Sequence, residues 1–201
     1  MPDRPRLVIA SGNAGKIGEF RDLLAPAGLD LVAFDTDVDE VGKTYAENAV
    51  LKAETAASRT GLPALGDDSG VEVDALGGFP GIRSARLGPT QKERTAELLR
   101  CLDGTPRPWN GRFVSVIALA VPGRPTQVFE GEVQGEIVPE WRGTAGFGYD
   151  PIFLVPGTGK TFGEMPPDEK SKYSHRAAAA RALLESGALE RLSDSIDARG
   201  R

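Results

Sequence analysis

A chain of 201 residues is long enough for one substantial hydrophobic core, and 40% hydrophobic against 26% charged residues places it outside the range of chains that stay disordered. One cysteine, Cys101, and one histidine, His175, exclude a disulfide framework and any Cys/His zinc cage. A net charge of −5 argues against a general nucleic-acid-binding surface, so an anionic ligand must be held by a local cationic pocket.

The first expected element is a buried strand, Arg6 to Ala10, followed by a small-residue turn and a helix over 16–25 whose Ile17, Phe20, Leu23 and Leu24 recur at helical spacing. Pro26 and Gly28 stop that helix, a second strand runs to Phe34, and an acidic stretch fills 35–40. Thr44 and Glu47 form a capping box for a helix reaching Gly61, with Tyr45, Ala49, Ala53 and Ala56 on one face and Asn48 and Lys52 on another. A short strand over 63–66 is expected to enter a turn at Asp67-Asp68-Ser69-Gly70 and resume at 71–73. The Gly/Pro-rich segment 77–81 is a loop, and Thr90 with Glu93 caps a further helix to about Leu102.

The composition break near 104–110 is the candidate boundary between two lobes of one domain, 1–201. Segments 113–120 and 126–134 are strands joined by Pro122-Gly123-Arg124-Pro125, a hairpin signature that implies antiparallel pairing. The apolar run 113–121 is interrupted by Ser115 and is shorter than the roughly 20 residues of a membrane span. A last strand over 152–155 and an alanine-rich helix capped by Ser174 close the pattern. Interleaved strands and helices followed by a hairpin predict an α/β fold with a mixed sheet flanked by helices. Met1 to Arg6 contain no apolar leader segment, which gives a cytoplasmic expectation without membrane contact.

Chemistry concentrates in a few places. Ser11-Gly12-Asn13-Ala14-Gly15-Lys16 joins a strand to a helix N-terminus, where backbone N–H groups and the lysine form an anion site, although neither a Walker nor a dinucleotide fingerprint is present. A plain strand-to-helix turn would read the same locally. Asp67 and Asp68 are adjacent carboxylates whose side chains alternation sends in different directions, and an exposed one would suit Mg²⁺ binding and water activation. The alternative is an Asp-rich turn held by its own hydrogen bonds. Asp35, Asp37, Asp39 and Glu40 form a second acidic cluster, which supplies a metal ligand or is simply solvated. Phe147 lies between glycines, where its ring is either core or a platform for a base. Lys170, His175 and Arg176 gather near an expected helix N-terminus, unfavourable for cations unless an anionic or carbonyl-rich ligand lies opposite.

Taken in order, Ser11-Gly12-Asn13 with Lys16 and Glu19, residues 44–49 with Lys52, Asp67 to Gly70, Gly78 to Gly81 with Ser84-Ala85-Arg86, Gly146 to Pro151, and Glu169-Lys170 with Ser174-His175-Arg176 resemble the inosine triphosphate pyrophosphatase family over nearly the whole chain. The resemblance implies an elongated α/β fold of two lobes with a deep cleft, a homodimer, and Mg²⁺-dependent hydrolysis of aberrant purine nucleoside triphosphates (ITP, dITP, XTP) to the monophosphate and pyrophosphate. It implies that Ser11, Gly12, Asn13, Ala14, Gly15 and Lys16 cradle the phosphates, with Lys52 and Ser69 also toward the substrate. Asp68 would be metal ligand and proton acceptor. Phe147 would stack on the purine, with Gly148, Tyr149 and Asp150 shaping that wall and Lys170, His175 and Arg176 reading its 6-oxo edge. Family members carry Glu-Glu-x-Gly before the second helix where this chain has Asp39-Glu40-Val41-Gly42, leaving Asp39 or Glu40 as the second metal ligand. A pyrophosphatase for other modified nucleotides and a nucleotide sensor without turnover are the competing readings.

Overall fold

The computed structural model describes residues 4–192. In chain order the regular elements are β1 (Arg6–Ala10), α1 (Ala14–Leu23), β2 (Asp30–Phe34), α2 (Tyr45–Thr60), β3 (Ala64–Val73), α3 (Gln91–Cys101), β4 (Trp109–Ala120), β5 (Gln127–Ile137), β6 (Phe153–Leu154), α4 (Pro167–Tyr173) and α5 (His175–Glu185). The strands form one sheet in the order β2-β1-β3-β4-β5-β6. β1 runs parallel to both β2 and β3, with Val8 opposite Val32 on one side and Ala64 on the other. This accounts for the unbroken apolar run 7–10, buried throughout, because a parallel strand between two neighbours is covered on both faces. β4 and β5 are adjacent and joined by only six residues, 121–126, too few for a crossover, so they pair antiparallel. β5 and β6 also pair antiparallel. The sheet is therefore mixed, as the element pattern predicts.

Two compact units are built on this chain. One comprises the chain up to Asp68, Val116–Gly131 and the chain from Ala178; the other comprises Ser69–Ser115 and Glu132–Ala177. Each has its own core. The first packs Leu7, Ile9, Phe20, Leu24, Leu65, Ile117, Leu119 and Leu183. The second packs Val71, Val73, Leu98, Leu102, Phe113, Ile137, Ile152, Phe153 and Phe162, with Phe113 and Phe153 rings 4.5 Å apart. Each fully buried Leu, Ile or Phe contributes about 1.5–3 kcal/mol. The boundaries fall inside β3, β4, β5 and α5, not at the composition break 104–110, because a Pro/Gly-rich stretch marks a loop irrespective of which core its flanking strands join.

Two local expectations are overturned. Asp67-Asp68-Ser69-Gly70 is not a turn: β3 continues through it for ten residues. Asp, Ser and Gly are poor strand formers, yet burial and side-chain partners outweigh that preference here. On α2, Asn48 and Lys52 do not occupy a separate face. Tyr45, Asn48, Ala49, Lys52, Ala53 and Ala56 are all buried, and their spacing of three and four residues is a single helical stripe. α4 had no counterpart in the expected elements, although Pro167 at its start and Asp168 and Glu169 in its first turn are helix-opening signals. Among the described residues, no helix is long and apolar enough to cross a membrane.

Candidate active site

In the first unit the chemistry centres on Asp68. Its position depends on how closely α2 lies on β3. A Cβ at Gly66 would run into the Ala49 carbonyl and the Ala53 amide, so a strand glycine facing helix alanines brings the two backbones together. One α2 turn then reaches the carboxylate: Asn48 Nδ2 donates to Asp68 Oδ2 at 2.9 Å, and Lys52 Nζ lies 3.7 Å from Oδ1. Lys52 Nζ also bonds Glu40 Oε1 at 2.8 Å. Burial pushes the Asp68 carboxyl above the ordinary aspartate range, opposed by Lys52, the Asn48 hydrogen bond and Lys16, with Glu40 adding to the rise. Neighbouring Asp67 pairs with Lys16 Nζ at 2.8 Å. The two adjacent carboxylates thus have different partners, as strand alternation implies.

The turn before α1 is organised by Asn13. Its Oδ1 accepts from Gly15 N at 2.9 Å and Lys16 N at 3.2 Å, while its own N–H donates to Ser11 Oγ at 3.1 Å. Asn13 is the helix N-cap, so two of the first-turn N–H groups expected to face an anion are held internally. At Gly12 a Cβ would meet only the Asp35 carboxylate, the end of an exposed side chain that can swing away. Ala14 and Gly15 open the helix. In the acidic loop, Asp39 is exposed and Glu40 is the carboxylate turned to Lys52. Among the described residues no three His, Cys, Asp or Glu side chains form a metal-sized cluster. Asp68 and Glu40 nevertheless share one ammonium, so two oxygen donors already converge on a cation, the donor set of one or two carboxylates that Mg²⁺ takes alongside phosphate oxygens.

The second unit gathers the remaining candidates. Asp150 Oδ2 accepts from Phe147 N at 2.7 Å and from Lys170 Nζ at 2.6 Å, so one buried carboxylate closes the loop and fixes the lysine. A Cβ at Gly146 would collide with that carboxylate, and Gly148 has φ 64, where glycine is favoured. The half-buried Phe147 ring lies 5.0 Å from Lys170 Nζ and 5.5 Å from the Arg176 guanidinium, within cation–π range of both. Arg176 donates to Ser69 Oγ at 2.9 Å, and His175 stacks on Phe113 at 4.7 Å between ring centres. Tyr149 is buried and donates its hydroxyl to Ser84 O at 2.7 Å, so it braces the loop from the core side; burial raises its pKa. Lys170 stands in the last turn of α4, where the helix dipole favours it, and only His175 and Arg176 open α5. Asn48 has no role assigned by sequence alone; its signal is a polar residue at an apolar-stripe position of α2.

A model of the Ham1 family matches residues 7–186, and the chain belongs to that family. Its relatives include the dITP/XTP pyrophosphatase of Thermus thermophilus, 51% identical over 90% of each chain. The dITP/XTP pyrophosphatase of Geobacillus kaustophilus is 48% identical, covering 89% of this chain and 92% of that one. Among solved structures, a HAM1 protein from Coxiella burnetii superposes with a TM-score of 0.78 at 38% identity, over 89% of this chain and 96% of that one.

Proposed function

We propose that this chain is a nucleoside triphosphate pyrophosphatase that hydrolyses aberrant purine nucleotides, ITP, dITP and XTP, to the monophosphate and pyrophosphate. The observation that carries the reading is the buried Asp68 carboxylate, raised in pKa yet surrounded by Lys52, Asn48 and Lys16, in a chain about half identical to dITP/XTP pyrophosphatases. Water attacks the α-phosphorus, the α–β phosphoanhydride P–O bond breaks, pyrophosphate departs with that electron pair, and Asp68 takes the water's proton. A carboxylate of raised pKa is the stronger proton acceptor for this step.

Asp68 and Glu40 would hold Mg²⁺, which supplies charge neutralisation on the phosphates and acidifies water. Lys16 and Lys52 add positive charge where negative charge develops, and the Ser11 to Lys16 turn faces the phosphates. Phe147 stacks on the base while Lys170 and Arg176 donate to a 6-oxo group. Adenine offers donors at that position, which leaves the pocket's own donors unpaired and makes rejection strong. Asp150 orients Lys170, and His175 and Ser69 support that end. The chain acts as one catalytic domain, in a cytoplasmic homodimer.

The test is a panel of inosine, xanthosine, guanosine, adenosine and thymidine triphosphates, with and without Mg²⁺, with pyrophosphate and orthophosphate assayed separately. Mg²⁺-dependent pyrophosphate from the first two alone is the expected result. Orthophosphate release would move attack to the terminal phosphorus and overturn the role given to Asp68.

A further inference from the structure

The first turn of α2 holds the segment in front of it through three successive backbone N–H groups. Glu47 Oε2 accepts from Lys43 N at 2.5 Å and from Thr44 N at 3.3 Å, and Asn48 Oδ1 accepts from Gly42 N at 2.8 Å. A backbone N–H can only donate, so the carboxamide oxygen of Asn48 must face Gly42 and its NH₂ must face the opposite way. There it meets Oδ2 of Asp68. Asn48 is 1% exposed, so water does not compete for either end. The amide is therefore a bridge between the acidic loop and the carboxylate on β3. It occupies one carboxylate oxygen, while the other, Oδ1, is the one turned to Lys52.

Gly42 explains why the bridge keeps its place. It does not have a positive φ, so its backbone conformation is open to other residues. A Cβ there, however, would stand 2.5 Å from Asn48 Oδ1 and 2.8 Å from Glu47 Cβ. Glycine is required at this position by the close approach of the amide, not by the backbone angle. Two residues further back, Glu40 is held on the same Lys52 that faces Asp68, so loop and carboxylate are joined twice, once through the lysine and once through the amide.

We propose that Asn48, seated by Gly42, is a positioning residue for the hydrolysis: by binding Oδ2 of Asp68 it fixes the orientation of the carboxylate that accepts the proton of the attacking water, and it ties the Glu40 loop to the same carboxylate. The inference rests on the pyrophosphatase reading above.

The test measures kcat and KM for ITP with Mg²⁺ in Asn48→Asp and Gly42→Ala, together with thermal unfolding of each variant. Asn48→Asp keeps size and the acceptor toward Gly42 but replaces the donor toward Asp68. Gly42→Ala reaches the same contact from the half-buried loop, and so keeps the question answerable if the change at the buried position impairs folding. A hydrogen bond to a charged group lost in the transition state corresponds to about 10- to 100-fold in rate, so kcat should fall by that much with KM nearly unchanged in both variants. Wild-type kcat in folded Asn48→Asp, or parallel loss of activity and folded protein in both variants with kcat per folded molecule unchanged, overturns the proposal while the pyrophosphatase reading stands. A wild-type chain that releases no pyrophosphate from any nucleotide overturns that reading, and this inference with it.

Discussion

Both units bury a carboxylate beside a lysine, yet the two carboxylates are held differently. Asp150 is bonded at 2.6 and 2.7 Å to Lys170 and a backbone N–H through a single oxygen, and the bonds close a loop. Asp68 has its lysine at 3.7 Å, leans on a neutral amide, and carries a burial cost large enough to raise its pKa. A carboxylate tied at short distance to a cation builds structure; one that is confined but incompletely compensated keeps basicity for a reaction. This contrast underlies the proposed division of labour, with Asp150 in architecture and Asp68 in chemistry.

The sharpest way to break that assignment is to exchange each carboxylate. Asp68→Asn should lower kcat by about 10²–10⁴-fold, the range of a lost general base, while nucleotide binding persists in an equilibrium assay. Asp150→Ala leaves Lys170 buried without its counter-charge and should cost about 3–5 kcal/mol in chemical denaturation. If Asp150→Ala proved fully stable and inactive, the contrast would be wrong. Phe147→Ala tests the base end by itself: losing a stacking surface of about 1–3 kcal/mol should raise KM for ITP with little change in kcat. Tyr149→Phe removes one hydrogen bond to Ser84 and should cost about 1 kcal/mol of stability, read as a lower denaturation midpoint.

The smallest effect carries the most specific sign. The folded-state pKa of Asp68 is raised above its unfolded value, so the folded protein binds this proton more tightly than the unfolded chain. Its ionisation therefore costs stability above the folded pKa, and the cost vanishes below the unfolded one. Asp68→Asn should unfold at a slightly higher temperature than wild type at neutral pH, with the difference shrinking on acidification. The same shift predicts that kcat declines with falling pH at a higher pH than an unperturbed aspartate would give, measurable as a pH–rate profile.

Much of this was legible in local sequence. Thr44 with Glu47 and Thr90 with Glu93 are complete capping boxes, because both partners of each lie within four residues and their bonds are local. The strand at 6–10 was legible from its unbroken apolar run, although its own hydrogen bonds go to the distant β2 and β3. What failed was whatever depends on distant partners. Asp67 and Asp68 read as turn residues because Lys16, Asn48 and Lys52, which satisfy them inside a sheet, lie 16 to 51 positions away and are invisible to a local window. Asn48 reads as lying on another face of the helix than the alanines, whereas counting the full stripe from Tyr45 to Ala56 places it among them. Nothing local to Tyr149 reveals that its hydroxyl reaches Ser84, 65 positions away.

Gly66 gives the arrangement an evolutionary consequence. The position has no side chain of its own to contribute, yet every residue larger than hydrogen would wedge α2 away from β3 and withdraw Asn48 and Lys52 together. Under the roles proposed for Asn48 and Lys52, a constraint on two side chains is thereby passed to a third position that contributes no side chain at all. The surrounding core can exchange one apolar residue for another of similar volume, whereas any side chain at Gly66 forces the helix and strand backbones apart.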